Sequence, residues 1–363
     1  MSLFGMYYGD DNHANMSICF KPISDQLKTF KEITIGGKLY PVNLHLNGDY
    51  KFICSALGHT GAASKFPCIK CVVKTMEGRK CRLWSDYDNS ECFHRSTIVA
   101  KPEDNNFSFT LEKIFDVEED NVHFPFLHIL MGIFQRLFKQ LKVYLVELDK
   151  NGIDGRLIYD IEDNEYYDQP VFNFEDTLAG DFDDDDYDVF GQNLDDSSSQ
   201  IDIDEAPTTF LDQMNQNLKK INAKASRFWQ TFSGNNVSKI LEKLDQLFMD
   251  LDKSEKMRLF RHVFEALRDV KRKAGAETLS KEGQKEAVES ITAFRKALTN
   301  PLLEFTMQPK AHFLMNHMPE QLELYASMNF FSEQPIESMH ASINKDMFRV
   351  SSFNELDKLY ISW

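Results

Sequence analysis

Two short motifs carry sulfur and imidazole at spacings that suit a metal ion. Cys68-Ile69-Lys70-Cys71 is a CxxC, in which two thiolates can turn back on one cation. Alone it is open to three readings: metal binding, redox use or chance. A redox CxxC starts a helix after a strand within a βαβ unit, and the preceding Lys65-Phe66-Pro67 argues against that setting. His312 and His317 form HxxxxH, a spacing found in the second half of Cys2His2 zinc sites. About 240 residues separate the two pairs, whereas a zinc finger leaves about 12–15 between them, so this is no finger. One zinc held by Cys68, Cys71, His312 and His317 would staple an early part of the chain to a late one.

Carboxylates form a second group of candidates. Asp49 ends an inferred strand, a place from which a carboxylate can offer hard oxygen to Mg²⁺. The plainer reading is an Asp in an Asn-Gly-Asp turn. Glu333 and Glu337 lie at i, i+4 and share one face if their segment is helical, where a lone Glu is usually solvated. The remaining cysteines, Cys19, Cys54, Cys81 and Cys92, show no histidine partner in sequence. His128, within an apolar run, reads as a core histidine, and Met315, Met318, Met328 and Met339 as packing residues. No GxxxxGK[ST], GxGxxG or GxSxG pattern occurs, so glycine-loop nucleotide binding and serine-elbow hydrolysis have no support.

The elements that position these residues follow from periodicity and turn chemistry. Residues 24–33 read as a short amphipathic helix with Ser24 as N-cap. Residues 33–50 read as strands around a Gly36-Gly37 turn, with alternation at Val42, Leu44 and Leu46. Residues 51–59 are apolar and ambiguous between strand and helix, and residues 72–121 are mixed and irregular. Residues 124–148 form a long helix that is apolar on most faces and belongs in a core. From 207 to 300 apolar residues recur at i, i+3, i+4, i+7, and residues 309–327 form a further helix interrupted by Pro319.

Charge is unevenly spread. The chain carries a net charge of -16, but residues 160–206 hold 18 Asp and Glu with no Lys or Arg, which leaves +2 for the remainder. That segment repels itself and reads as a disordered linker or a docking tail for a basic partner. No strongly basic footprint for nucleic acid stands out. Hydrophobic residues at 42% supply a sizeable core, no apolar run reaches membrane length, and the start lacks a secretion signal. With six cysteines, reduced or metal-bound thiols in an intracellular protein are expected.

Taken in order, PVNLHLNGDYKF, CIKC, HFLMNH and SEQPIESMHASIN resemble the catalytic core of the V(D)J recombination-activating protein and related Transib-like cut-and-paste transposases. Asp49 to Cys68 spans 19 residues, His312 to His317 spans 5, and His317 to Glu337 spans 20. The resemblance runs patchily over nearly the whole chain, including 124–138 and 232–244. It implies an RNase H-like fold whose DDE triad binds two divalent ions, with a zinc bracing a helical insertion. Asp49 would then be the second catalytic Asp and Glu337 the catalytic Glu. Cys68, Cys71, His312 and His317 would be structural zinc ligands, with Mg²⁺ or Mn²⁺ needed only for catalysis.

The departure lies in the first Asp. Only 48 residues precede Asp49, and Asp10 and Asp11 resemble a later turn of the sheet rather than its first strand. Two-metal catalysis needs a bridging carboxylate, so a catalytically incomplete, domesticated remnant is expected. The fold expectation is α+β: an incomplete RNase H-like mixed sheet with a large zinc-braced helical region. Four parts are expected: 1–75 as a partial core ending in CxxC, 76–159 mixed with a buried helix, 160–206 as the acidic linker, and 207–363 helical. The alternatives are an active Mg²⁺-dependent DNA-cleaving transposase in which Asp10 or Asp11 completes the triad, and an acidic protein-interaction scaffold. The resemblance further implies a nuclear protein, with DNA or a second copy of the chain as partner and no membrane.

Overall fold

The computed structural model describes residues 12–78, 80–95, 107–152, 207–225, 232–275 and 277–329. Asp10, Asp11, the acidic segment 160–206, Glu333, Glu337 and Met339 lie outside the described residues. The described chain is mixed α and β, mostly helical, with two small antiparallel sheets of two strands each. An RNase H-like mixed sheet is not among its elements.

Helix α1 (His13–Thr29) starts earlier than periodicity suggests. Asn12, not Ser24, is its N-cap and accepts from the Asn15 amide at 2.9 Å. Ser24 lies buried inside the helix and donates to the Ile114 carbonyl. Strands β1 (Glu32–Ile35) and β2 (Lys38–Pro41) form the expected hairpin, with Ile35 opposite Lys38 and positive φ at Gly36 and Gly37. Beyond it the alternating stretch is not a strand: the Val42 amide donates to the Lys31 carbonyl, and Leu46 forms a parallel bridge to Val122.

The ambiguous segment is helix α2 (Tyr50–Leu57), and Asp49 is its N-cap. The Asp49 Oδ1 accepts from the Phe52 amide at 2.7 Å. Gly58 ends the helix at φ +73, where a Cβ would lie 2.2 Å from the Leu111 carbonyl oxygen, so only glycine fits. A small hairpin, β3 (Met76–Glu77) and β4 (Lys80–Cys81), follows the CxxC loop.

Helix α3 (Phe126–Gly152) is the central rod. Ile129, Ile133, Phe134, Leu137, Leu141 and Leu145 are all buried. Around it pack α4 (Phe210–Ile221), α5 (Gly234–Glu242) and α7 (Glu255–Lys273), with the short α6 (Leu244–Leu247) against α4. The rings of Phe134 and Phe264 meet edge to face at 5.5 Å. Ser254, Thr209, Ser233 and Ser280 cap the helices they precede, so the boundaries follow local chemistry.

Helix α8 (Lys281–Leu298) pairs with α7 and carries the chain to α9 (Pro309–His312), a π-turn at Phe313–His317, and α10 (Met318–Tyr325). The mixed 80s segment is tied to this end by backbone bonds from Trp84 to Phe305 and from Met307 to Arg82. One cluster of buried side chains runs from Met16 to Met328.

Candidate metal centre

The first half of the site is a loop held by its backbone. Arg95 donates to the carbonyls of Phe66, Cys68 and Phe107, and Tyr50 OH donates to the Pro67 carbonyl. The Lys70 amide turns back on Cys68 Sγ at 3.4 Å. That backbone-to-sulfur bond folds the CxxC on itself and leaves Cys68 and Cys71, both fully buried, facing one point.

The second half depends on the π-turn. Residues five apart on an α-helix lie about 140° apart around its axis, too far round to face one ion. A π-turn lengthens the repeat and brings the fifth residue back over the first. Pro319 favours that turn, because it has no N–H to give the Met315 carbonyl and would crowd it in a regular helix. Arg295 Nη2 donates to that carbonyl instead, at 2.7 Å. The imidazoles of His312 and His317 accordingly sit with ring centroids 5.0 Å apart.

The two halves meet. Cys71 Sγ lies 3.1 Å from His312 Nε2, and Cys68 Sγ lies 3.3 Å from His317 Nε2. All four donor atoms lie within 4.8 Å of one another, and all four residues are buried. In a tetrahedral zinc site the sulfur–nitrogen edge is about 3.5 Å, so the observed spacing is close to what one ion requires. His312 presents its Nε2 to Cys71, and its Nδ1 is buried with no hydrogen-bond partner among the described residues. The cluster could hold a metal ion such as zinc.

A carboxylate orients the other histidine. Glu320 Oε2 accepts from His317 Nδ1 at 3.0 Å, which fixes the tautomer and leaves Nε2 free to ligate. Its Oε1 accepts from His94 Nε2 at 2.8 Å. Aromatic rings pack beside the site: Phe313 lies 4.6 Å from both Tyr50, tilted against it, and Phe124, stacked on it, and Phe124 stacks on His317 at 5.7 Å.

The protonation states follow from crowding. Burial would raise the Cys68 thiol, but bonding to Cys71 and the charge on His317 hold it well below its ordinary value. Burial likewise opposes charge on His317, and the Cys68 thiolate and Glu320 overcome it, so its pKa is raised. Bonding to Cys68 and Cys92, then burial, pushes the Cys71 thiol upward. These directions favour a thiolate–imidazolium pair beside a protonated thiol. With metal those protons must leave.

No known family model matches the chain. No curated protein matches it either.

The four metal-ligand expectations are therefore brought together, and Asp49 stands apart from them. Its carboxylate caps α2, and among the described residues no cluster suited to a metal includes it. Glu337 lies outside the described residues. Three neighbours of the site were missed in sequence: His94, Glu320 and Cys92. Glu320 lies three residues after His317, a separation that places side chains side by side on a helix, and this could have singled it out. Cys92, read as lacking a histidine partner, has its thiol held low by bonding to Cys71 and, against burial, by His312 and His317. Nothing local to residues 89–95 announces that, because a fold-level pairing puts it there.

Proposed function

We propose that the chain is a transposase-derived, zinc-binding scaffold of the DDE-recombinase type, catalytically incomplete by itself. The observation that carries this reading is the closure of CIKC onto HFLMNH across 241 residues, in the order that the resemblance implies. Zinc suits the donor set, since two thiolates and two imidazoles around a buried point make a closed, structural site with no open position for substrate. Its role is to brace the early CxxC loop against the late helix; when bound, it supplies cross-linking rather than chemistry.

The incompleteness rests on the carboxylates. The 363-residue chain offers Asp49 and Glu337 toward a triad, and the Asp49 side chain already has a structural task as a helix cap. On this reading any remaining role is to contact DNA in the nucleus, to pair with a second copy, or to dock a basic partner through residues 160–206.

The test is plasmid nicking by the purified chain in Mg²⁺ and in Mn²⁺, beside Asp49→Ala and Glu337→Ala. The expected result is no cleavage above buffer for any of the three. Metal-dependent nicking that vanishes in either variant would establish an active enzyme and overturn the scaffold reading.

A further inference from the structure

The four residues of the cluster are fully buried, with Phe124 packed against His317 and Tyr87 against His312. An ion bound there needs a way in. On one side the packing gives way to a second group of donors. His94, Glu320 and His317 place their donor atoms within 4.8 Å of one another. The side chains of His94 and Glu320 are each 37% exposed, so solvent reaches both.

These positions are held from several directions. His94 pairs with Cys71 in an antiparallel bridge. Beside it the Val72 amide donates to the Phe93 carbonyl at 3.1 Å, and the Arg95 amide to the Lys70 carbonyl at 2.9 Å. Glu320 lies in the first turn of α10. His94 Nε2 is 2.8 Å from Glu320 Oε1. Two donors at right angles on an ion with bonds of about 2.1 Å would lie about 3.0 Å apart. Further along α10, the Tyr325 hydroxyl lies 3.0 Å from the Asp120 carbonyl and 2.9 Å from Asn121 Oδ1. That contact sets the turn bearing Glu118, Glu119 and Asp120 beside the same helix. Glu118 and Asp120 are exposed. Carboxylates grouped near an opening raise the local concentration of cations.

We infer that His94 and Glu320, with His317, form a half-exposed loading site through which a divalent transition-metal ion enters and leaves the buried cluster. The inference rests on the proposal that the cluster binds zinc. Imidazole and carboxylate donors both suit that ion, and water at the remaining positions holds it loosely enough to be passed on. At the outer position His94 Nε2, a Glu320 oxygen and His317 Nδ1 bind the ion, and the His317 proton sits on Nε2. On transfer these three bonds break. The His317 proton moves to Nδ1, where Glu320 accepts it in the hydrogen bond seen here. Nε2 joins Cys68, Cys71 and His312 on the ion, and the Cys71 proton passes to solvent. His94 regains its Nε2 proton and its bond to Glu320.

The test is exchange of bound zinc for isotopically labelled zinc on the zinc-loaded full chain, at equilibrium, so that the fold is the same throughout. In His94→Ala the exchange should be slower by about tenfold or more. Affinity, read by competition with a chelator, should equal that of the wild type, because a route changes entry and exit alike. His94→Gln keeps a hydrogen-bond partner for Glu320 but has no imidazole, and should exchange as slowly as the alanine variant. A merely structural His94 would loosen the site when removed and speed the exchange. Three results overturn the loading site while leaving the zinc cluster: exchange in His94→Ala at wild-type speed or faster, wild-type speed in His94→Gln, or slow exchange matched by equally tighter binding. A wild type without zinc overturns the cluster itself.

Discussion

Glu320 has no direct bond to the proposed ion, yet it settles what His317 can do. By accepting from Nδ1 it keeps the lone pair on Nε2 and holds the ring toward Cys68. Glu320→Gln should therefore keep the stoichiometry but weaken zinc about tenfold or more, read by competition with a chromophoric chelator. Affinity equal to the wild type would show that stacking on Phe124 alone orients the ring. The four residues of the cluster were legible as candidates from their types and spacing, although HxxxxH meets at one point only through the π-turn. Their outer partners were not, because His94 reaches Glu320 only through a pairing 226 residues apart in sequence.

At the scale of elements, local signals did well where local chemistry decides. The Gly36-Gly37 hairpin, the long apolar α3 and the capped helices after residue 207 were all readable, because turns, caps and 3.6-residue periodicity act within a few residues. The readings failed where two local patterns competed. The apolar stretch 51–59 fits strand or helix, and the choice falls to helix because Asp49 caps it and Gly58 ends it. Asp49→Ala should thus cost about 1 kcal/mol of stability, measured as a shift in the urea midpoint. A neutral result would remove the capping explanation and return Asp49 to the list of carboxylates kept for another purpose. The π-turn was also hidden, although its cause, Pro319, was in plain view. What it needed was Arg295, from α8, to take the Met315 carbonyl.

Across the whole molecule, the cluster ties an early loop to a late helix, so the binding energy of an ion held there would contribute directly to folding. The buried histidines add a pH dependence. Burial, with Arg95 nearby, lowers His59 to about 4, and burial with His45 nearby lowers His123 to about 3. Both ordinarily titrate at 6.5, so below that pH the unfolded chain binds protons that the folded chain refuses. Stability is therefore complete above about pH 6.5 and declines as the pH falls toward 4, by a few kcal/mol. Urea midpoints taken through that range with zinc in excess should fall steadily, and a flat profile would mean that these histidines are charged in the fold. No described helix is long and apolar enough to cross a membrane.

The most direct test of the central claim is elemental analysis of the purified chain for zinc, with Cys71→Ser and His317→Ala alongside. The account predicts one zinc per chain in the wild type, lost in both variants together with cooperative unfolding. A folded wild type that carries no zinc and takes up none would contradict it, as would full zinc retention in both variants.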